Sequence, residues 1–292
     1  MTGCVSVAAA ISLISASAAL SQVTFTFTSF DPPGSAETYA YSVNSHGNVV
    51  GTYRDSSTNL YAGYVRESDG TFTKPIQMSG KNTWTTGIND YGVISGYSSV
   101  SFTFSEGVFT EFPSIHGDLT RVNRINNNGD LTGWYVVLCT FACCPLGHCR
   151  PPTYYGFLYV ASTGMTEEFP GGTSGYGLNK RDAVVGALTS LPAFLRSPGG
   201  TFKDFTFPGS YQTIAEQIND CGAIVGGFFD FARMEHGFYG TASGQTELDY
   251  PGSMQTEIDG INNYGELVGS YIDTSGIRHG FIATPSVPFC SL

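Results

Sequence analysis

Gly260-Ile261-Asn262-Asn263-Tyr264-Gly265-Glu266-Leu267-Val268-Gly269-Ser270-Tyr271 has a near twin in Gly87-Ile88-Asn89-Asp90-Tyr91-Gly92-Val93-Ile94-Ser95-Gly96-Tyr97. Four looser copies centre on Asn44, Asn126, Asn179 and Asn219. Seven residues after the asparagine, all six copies place a glycine: Gly51, Gly96, Gly133, Gly186, Gly226 and Gly269. Three residues after it stands Gly47, Gly92, Gly129, Gly222 or Gly265, with Asp182 in the remaining copy. Asparagine opens tight turns by bonding its own backbone, and glycine supplies the left-handed residue such turns need. Each Asn-x-x-Gly therefore joins two strands of a hairpin.

A small residue followed by an aromatic opens a third strand in every copy: Gly63-Tyr64, Ser101-Phe102, Gly156-Phe157, Ala193-Phe194, Gly237-Phe238 and Gly280-Phe281. Five copies add a second glycine turn, at Gly70, Gly107, Gly164, Gly200 or Gly244, and a fourth strand rich in Thr and Phe. Several of these end at proline (Phe112-Pro113, Phe169-Pro170, Phe207-Pro208, Tyr250-Pro251), which suits an outer strand because proline cannot donate to a ladder. Four short antiparallel strands at intervals of 37 to 53 residues have the period of propeller blades. The phase of the ends argues for a closed ring. Val23 to Phe30 reads as a fourth strand with its terminal Pro32-Pro33-Gly34, whereas the sixth copy stops after its third strand near Thr284. The expectation is an all-β, six-bladed β-propeller of four-stranded antiparallel blades over residues 22–285. Its last blade is closed by the N-terminal strand, and 286–292 form a C-terminal tail. Closure removes sheet edges that an open array would leave unpaired.

The composition agrees: among 292 residues there are 37 Gly, 21 Phe and 17 Tyr, while charged residues are only 13%. A formal charge of −11 and the absence of a basic cluster argue against nucleic acid and anionic membranes as partners. Val5 to Leu20 is apolar, small-residue-rich and uncharged, so residues 1–21 are read as a secretory signal peptide with cleavage after Ser21. The run is too short for a transmembrane span, and no later segment qualifies. The mature protein is expected outside the cytoplasm, secreted or periplasmic.

The units resemble the HAF repeats of bacterial extracellular proteins, named for a His-Ala-Phe-like tripeptide that follows an asparagine-glycine hairpin. His236-Gly237-Phe238 and His279-Gly280-Phe281 match the tripeptide with Gly for Ala, and the Ile-Asn-x-x-Gly stretches match the hairpin. The resemblance covers nearly all of the mature chain. It implies export and a propeller-like array, and supplies no catalytic residues.

The six repeated asparagines, Asn44, Asn89, Asn126, Asn179, Asn219 and Asn262, are read as structural turn residues rather than a ligand ring. Asp55, Asp230 and Asp273 recur eleven residues later, with His236 and His279 following in two copies. Asp with His suits acid–base work or metal binding, yet recurrence scatters the pairs over blades instead of building one site. The third copy holds an insertion, residues 134–155, with Cys139, Cys143, Cys144 and Cys149. Its cysteines and His148 present zinc-type ligands, but export favours disulfides. Adjacent Cys143 and Cys144 then take different partners, with Cys139 and Cys149 in an order left open. Cys221 and Cys290 pair if the tail folds back. Trp134, Tyr135, His148, Arg150, Tyr154 and Tyr155 are the candidate ligand-binding residues, suited to stacking on sugars or gripping a protein.

No nucleophile elbow, phosphate loop, zinc-protease or calcium-loop motif occurs, so neither cofactor nor metal is called. Catalytic residues are not assigned. The favoured function is a secreted binding or surface-interaction module, with polysaccharide or a cell-surface protein as partner. The alternatives are a polysaccharide-acting glycosidase or lyase and a self-assembling extracellular structural protein.

Overall fold

The computed structural model describes residues 23–116, 119–137 and 152–290. Residues 1–21, expected to be a signal peptide, and Cys139, Cys143, Cys144, Cys149, His148 and Arg150 lie outside the described residues. The strands form six antiparallel sheets. Blade 1 comprises β2 (Ser35–Val43), β3 (Val49–Asp55) and β4 (Tyr61–Arg66); blade 2, β5 (Trp84–Ile88), β6 (Ile94–Tyr97), β7 (Ser101–Ser105) and β8 (Val108–Phe112). Blade 3 comprises β9 (Leu119–Ile125), β10 (Leu131–Val137), β11 (Thr153–Val160) and β12 (Met165–Gly171). Blade 4 holds β13 (Thr173–Leu178), β14 (Val184–Leu188), β15 (Ala193–Arg196) and β16 (Phe202–Phe205). Blade 5 holds β17 (Gln212–Ile218), β18 (Ile224–Phe229), β19 (Glu235–Thr241) and β20 (Gly244–Glu247). Blade 6 is β21 (Gln255–Ile261), β22 (Leu267–Ile272) and β23 (Arg278–Pro285), with β1 (Phe25–Phe30) from the other end of the chain. Strands β2, β5, β9, β13, β17 and β21 touch in turn, and β21 returns to β2, so the ring is closed and these six strands surround its axis.

β1 pairs antiparallel with β23 from Phe25 opposite Pro285 to Phe30 opposite Gly280, as the phase of the two ends requires. Cys290, just beyond β23, forms a disulfide with Cys221 in the turn of blade 5, the Cα atoms 5.9 Å apart. Phe289 packs edge-on against Phe25 of the closing strand and tilted against Tyr239 of blade 5. Blade 1 departs from the four-stranded pattern: its outer segment makes only the bridges Gly63 to Ile76 and Arg66 to Phe72. Pro75 lies between them, and a proline there withholds the N–H a continuous ladder needs.

The glycine seven residues after each asparagine has a steric cause. A Cβ on Gly51, Gly96, Gly133, Gly186, Gly226 or Gly269 would sit 1.9–2.1 Å from the carbonyl oxygen of the neighbouring inner strand, at Tyr39, Trp84, Arg121, Ser174, Ile214 or Glu257. That approach comes from a β-bulge repeated in all six inner strands, whose extra residues are Tyr41, Thr86, Asn123, Tyr176, Glu216 and Asp259. A bulge leaves its extra residue out of the ladder and re-aims its side chain. Opposite each glycine, on the third strand, stands Tyr64, Phe102, Phe157, Phe194, Phe238 or Phe281. All six are fully buried, and they are the largest side chains of the blade cores. Losing the Cβ thus makes room both for the bulge and for the aromatic ring.

Candidate functional site

At one end of the axis the six repeated asparagines join hands. Each Nδ2 donates to the backbone carbonyl of the next blade's asparagine, from Asn44 to Asn89, Asn126, Asn179, Asn219, Asn262 and back to Asn44, at 3.1–3.2 Å. Each Oδ1 accepts the N–H groups two and four residues ahead, as Asn179 does from Arg181 and Ala183. Every polar atom of the six side chains is used within the fold. The cavity there is about 70 Å³, too small for a typical organic ligand.

Deeper along the axis the copies stop resembling one another. Arg124 of β9 is 3% exposed and crosses the channel. Its guanidinium donates to Tyr41 O at 2.8 Å and Asp259 O at 2.6 Å, to Asn123 O, and closely to Thr86 O. One side chain thereby ties blades 1, 2, 3 and 6 together and plugs the channel beneath the asparagine ring. Two bulge residues also serve the ring, Thr86 bonding Val122 O and Asn123 bonding Gly175 O. Of the other four, Tyr41, Tyr176 and Glu216 keep part of their surface accessible, as do Glu235 and Glu257 beside them, while Asp259 is buried; together they border an axial recess beyond Arg124.

The recess has two unlike walls. Blades 5 and 6 contribute Glu216, Glu235, Glu257 and Asp259. Burial, reinforced by Glu257, pushes Glu216 up to about 8 and Glu235 up to about 7. Burial likewise raises Glu257, and with Glu257 and Glu216 beside it holds Asp259 well above the carboxylate range. Arg278 offsets part of this charge, 3.4 Å from Glu257. Blades 1 and 2 contribute an aromatic shelf. Tyr41 stacks on Tyr39, Tyr39 meets Tyr61, Tyr61 stacks on Trp84 and Trp84 on Tyr97, with centroids 5.2–6.4 Å apart. Arg121 lies over Tyr97 at 4.4 Å, closing that end of the shelf, and Arg278 lies over Tyr39 at 5.0 Å.

Of the residues singled out in the insertion, Trp134 and Tyr154 meet edge to face and line a groove of about 340 Å³ that runs inward to Tyr176. Tyr135 and Tyr155 stack on each other on the opposite face of the same sheet, by the alternation of a strand. Tyr135 is 2% exposed and its hydroxyl bonds Glu168, which also receives His116. The repeated aspartates close their own turns: Asp55 accepts from Ser57 and Thr58, Asp230 from Met234, and Asp273 from Ser275 and Ile277. His236 bonds Asp249 and His279 bonds Asp31, each at 2.7 Å in its own blade. His236, Glu247 and Asp249 bring ligand atoms within 4.8 Å, the only such group of metal-type residues among the described residues.

The axial residues were missed in the sequence because they do not recur. Their signal was the position three before each asparagine, where Tyr41, Thr86, Asn123, Tyr176, Glu216 and Asp259 vary inside an otherwise regular unit.

No protein-family model matches the chain, and no curated protein matches it. Among solved structures it is similar to TolB from Acinetobacter baumannii, at 14% identity and a TM-score of 0.55, over 88% of this chain and 66% of that one. It is also similar to a gluconolactonase from Xanthomonas campestris, at 11% identity and a TM-score of 0.53, over 86% and 87% of the two chains. An acylaminoacyl peptidase from Pyrococcus horikoshii matches at 10% identity and a TM-score of 0.50, over 86% of this chain and 46% of that one. The chain thus spans about two thirds of the TolB and under half of the peptidase. At such identities the likeness defines a propeller and nothing about activity.

Proposed function

We propose that the protein is an extracellular or periplasmic carbohydrate-binding propeller of the HAF-repeat type, whose ligand enters the axial recess opposite the asparagine ring. The observation that carries the reading is the row Tyr97, Trp84, Tyr61 and Tyr39, which ends on the axis at Tyr41 beside the buried carboxylates of blades 5 and 6. Aromatic faces take the apolar face of a sugar ring, while polar groups opposite take its hydroxyls. The groove from Tyr176 to Trp134 and Tyr154 lets a chain longer than one residue continue outward. The Cys221–Cys290 disulfide suits an oxidising compartment. Among the described residues no helix is long and apolar enough to cross a membrane. Pull-down on insoluble polysaccharides and titration with soluble ones test the reading. Binding that weakens roughly tenfold or more in Tyr41→Ala supports it, by the loss of about one stacking contact. Undiminished binding in that variant overturns it.

A second reading, a polysaccharide-acting enzyme, is favoured by one observation: Glu216 and Glu235 are held at about 8 and about 7. A carboxylic acid that keeps its proton near neutrality is what general-acid cleavage of a glycosidic bond requires. Release of reducing or unsaturated ends, abolished by Glu216→Gln, would establish it. Binding without release in prolonged incubation would exclude it.

A further inference from the structure

Asp259 is 2% exposed, and its Oδ2 has no hydrogen-bond partner among the described residues. Buried acceptors are normally satisfied, and leaving one bare is costly. The carboxylate belongs to a bulge residue on the axis, beside Glu216, Glu257 and Glu235. Arg124, the nearest cation, spends its two terminal nitrogens on backbone carbonyls, and its Nε is likewise without a partner. Four carboxylates therefore stand at the recess against three guanidinium groups, of which Arg124 is spent on backbone carbonyls, Arg121 lies over Tyr97 and donates to Ser98 O, and only Arg278 pairs with one of the acids.

A bare metal ion does not fit this arrangement. Among the described residues the carboxylates of the recess do not bring three ligand atoms within 4.8 Å of one another, as only the outer group at His236 does. What fits is a donor-rich cation large enough to reach separated carboxylates while resting against the aromatic wall. Aromatic faces attract cations as well as sugar rings. The formal charge of −11 would draw such a ligand in from solution.

We propose that the axial recess binds carbohydrate bearing primary ammonium groups, a hexosamine oligomer, with one ammonium donating to Asp259 Oδ2 and the neighbouring Glu216 or Glu257. The sugar ring lies on the face of Tyr41 that Tyr39 leaves free. The assignment rests on the carbohydrate-binding reading above and narrows it to a ligand class. Because burial and mutual repulsion hold the free carboxylates partly protonated, an arriving ammonium ionises them and protons leave on binding.

The test is isothermal titration of the disulfide-intact protein with tetramers of glucosamine, N-acetylglucosamine and glucose. It is run at pH 6, where the glucosamine amine is charged, in two buffers of different ionisation enthalpy. The expected result is glucosamine tetramer binding roughly tenfold or more tighter than either neutral tetramer, since charge-assisted hydrogen bonds are the strong ones. Binding should release protons and weaken with added salt. Glu257→Gln, which keeps the side-chain shape, should erase most of the preference while the melting temperature reports an intact fold. Equal or tighter binding of a neutral tetramer overturns the ammonium assignment and leaves the carbohydrate reading standing. Binding of no tetramer overturns both. A preference that survives Glu257→Gln and Glu216→Gln together moves the ammonium site out of this recess and overturns the assignment.

Discussion

Asn179 shows what a repeated residue does here: its amide donates to Asn219 O in the next blade while its oxygen holds the N–H groups of Arg181 and Ala183 in its own turn. Asn179→Asp keeps the acceptor and loses the donor, placing a negative charge against a carbonyl; about 1–3 kcal/mol of stability should go. Asn179→Ala orphans all three partners and should cost more. Urea unfolding checks the order, and equal small losses in both variants would contradict the ring. Gly226→Ala should cost about 3 kcal/mol, because its Cβ would lie 2.0 Å from Ile214 O with nowhere for the strand to yield. Gly244→Ala, with open space around it, should change stability by no more than about 0.5 kcal/mol. The histidines of the repeat tripeptide clasp strands within a blade, His236 to Asp249 and His279 to Asp31. Asp31 follows the closing strand, so the sixth blade's clasp spans both ends of the chain.

At the scale of elements, the pairing of β1 with β23 was legible because a strand without a blade began the chain and a blade without an outer strand ended it. The recess was not legible. Two-residue alternation tells which side of a sheet a residue faces, but the bulge shifts that count by one at Tyr41, Thr86, Asn123, Tyr176, Glu216 and Asp259. The repeated glycine that marks the bulge was visible, and its steric reason needs the neighbouring strand. Tyr135 and Tyr155 were grouped with Trp134 and Tyr154 by proximity in sequence, although the pleat separates the two pairs. The Cys221–Cys290 bond ties the tail to blade 5 across 69 residues. Cys290→Ser should therefore lower stability by about 4 kcal/mol at most on loop entropy, and by about 2 kcal/mol if strain offsets it. Denaturant titration of the variant against the parent measures this, and no loss would mean that the tail leaves the ring closure unaided.

For the whole molecule, the buried acids set the pH dependence. Glu216 at about 8 and Glu235 at about 7 hold protons in the folded state that they release when unfolded, where the ordinary value is 4.5. The folded protein then binds more protons than the unfolded chain across that window, and stability falls as pH rises through it. His236, raised by Asp249 despite its burial, acts in the same direction, its contribution being complete below its ordinary value and lost as pH rises through the folded one. Asp55, lowered to about 2 by the hydrogen bonds of its turn, withdraws its contribution as pH falls toward that value. The melting temperature should peak near pH 5, between these opposing slopes, and decline toward pH 8. Glu216→Gln with Glu235→Gln should flatten the decline, whereas an unchanged slope would place these acids in solvent. The central claim is that ligands bind where the six copies differ, on the axis, rather than at the insertion. The chain has two tryptophans, Trp84 on the axial shelf and Trp134 in the outer groove. The most direct measurement is fluorescence titration of Trp134→Phe and Trp84→Phe with a bound oligosaccharide. A saturable change from Trp84 in the first variant is the predicted result, and a change confined to Trp134 would contradict the claim.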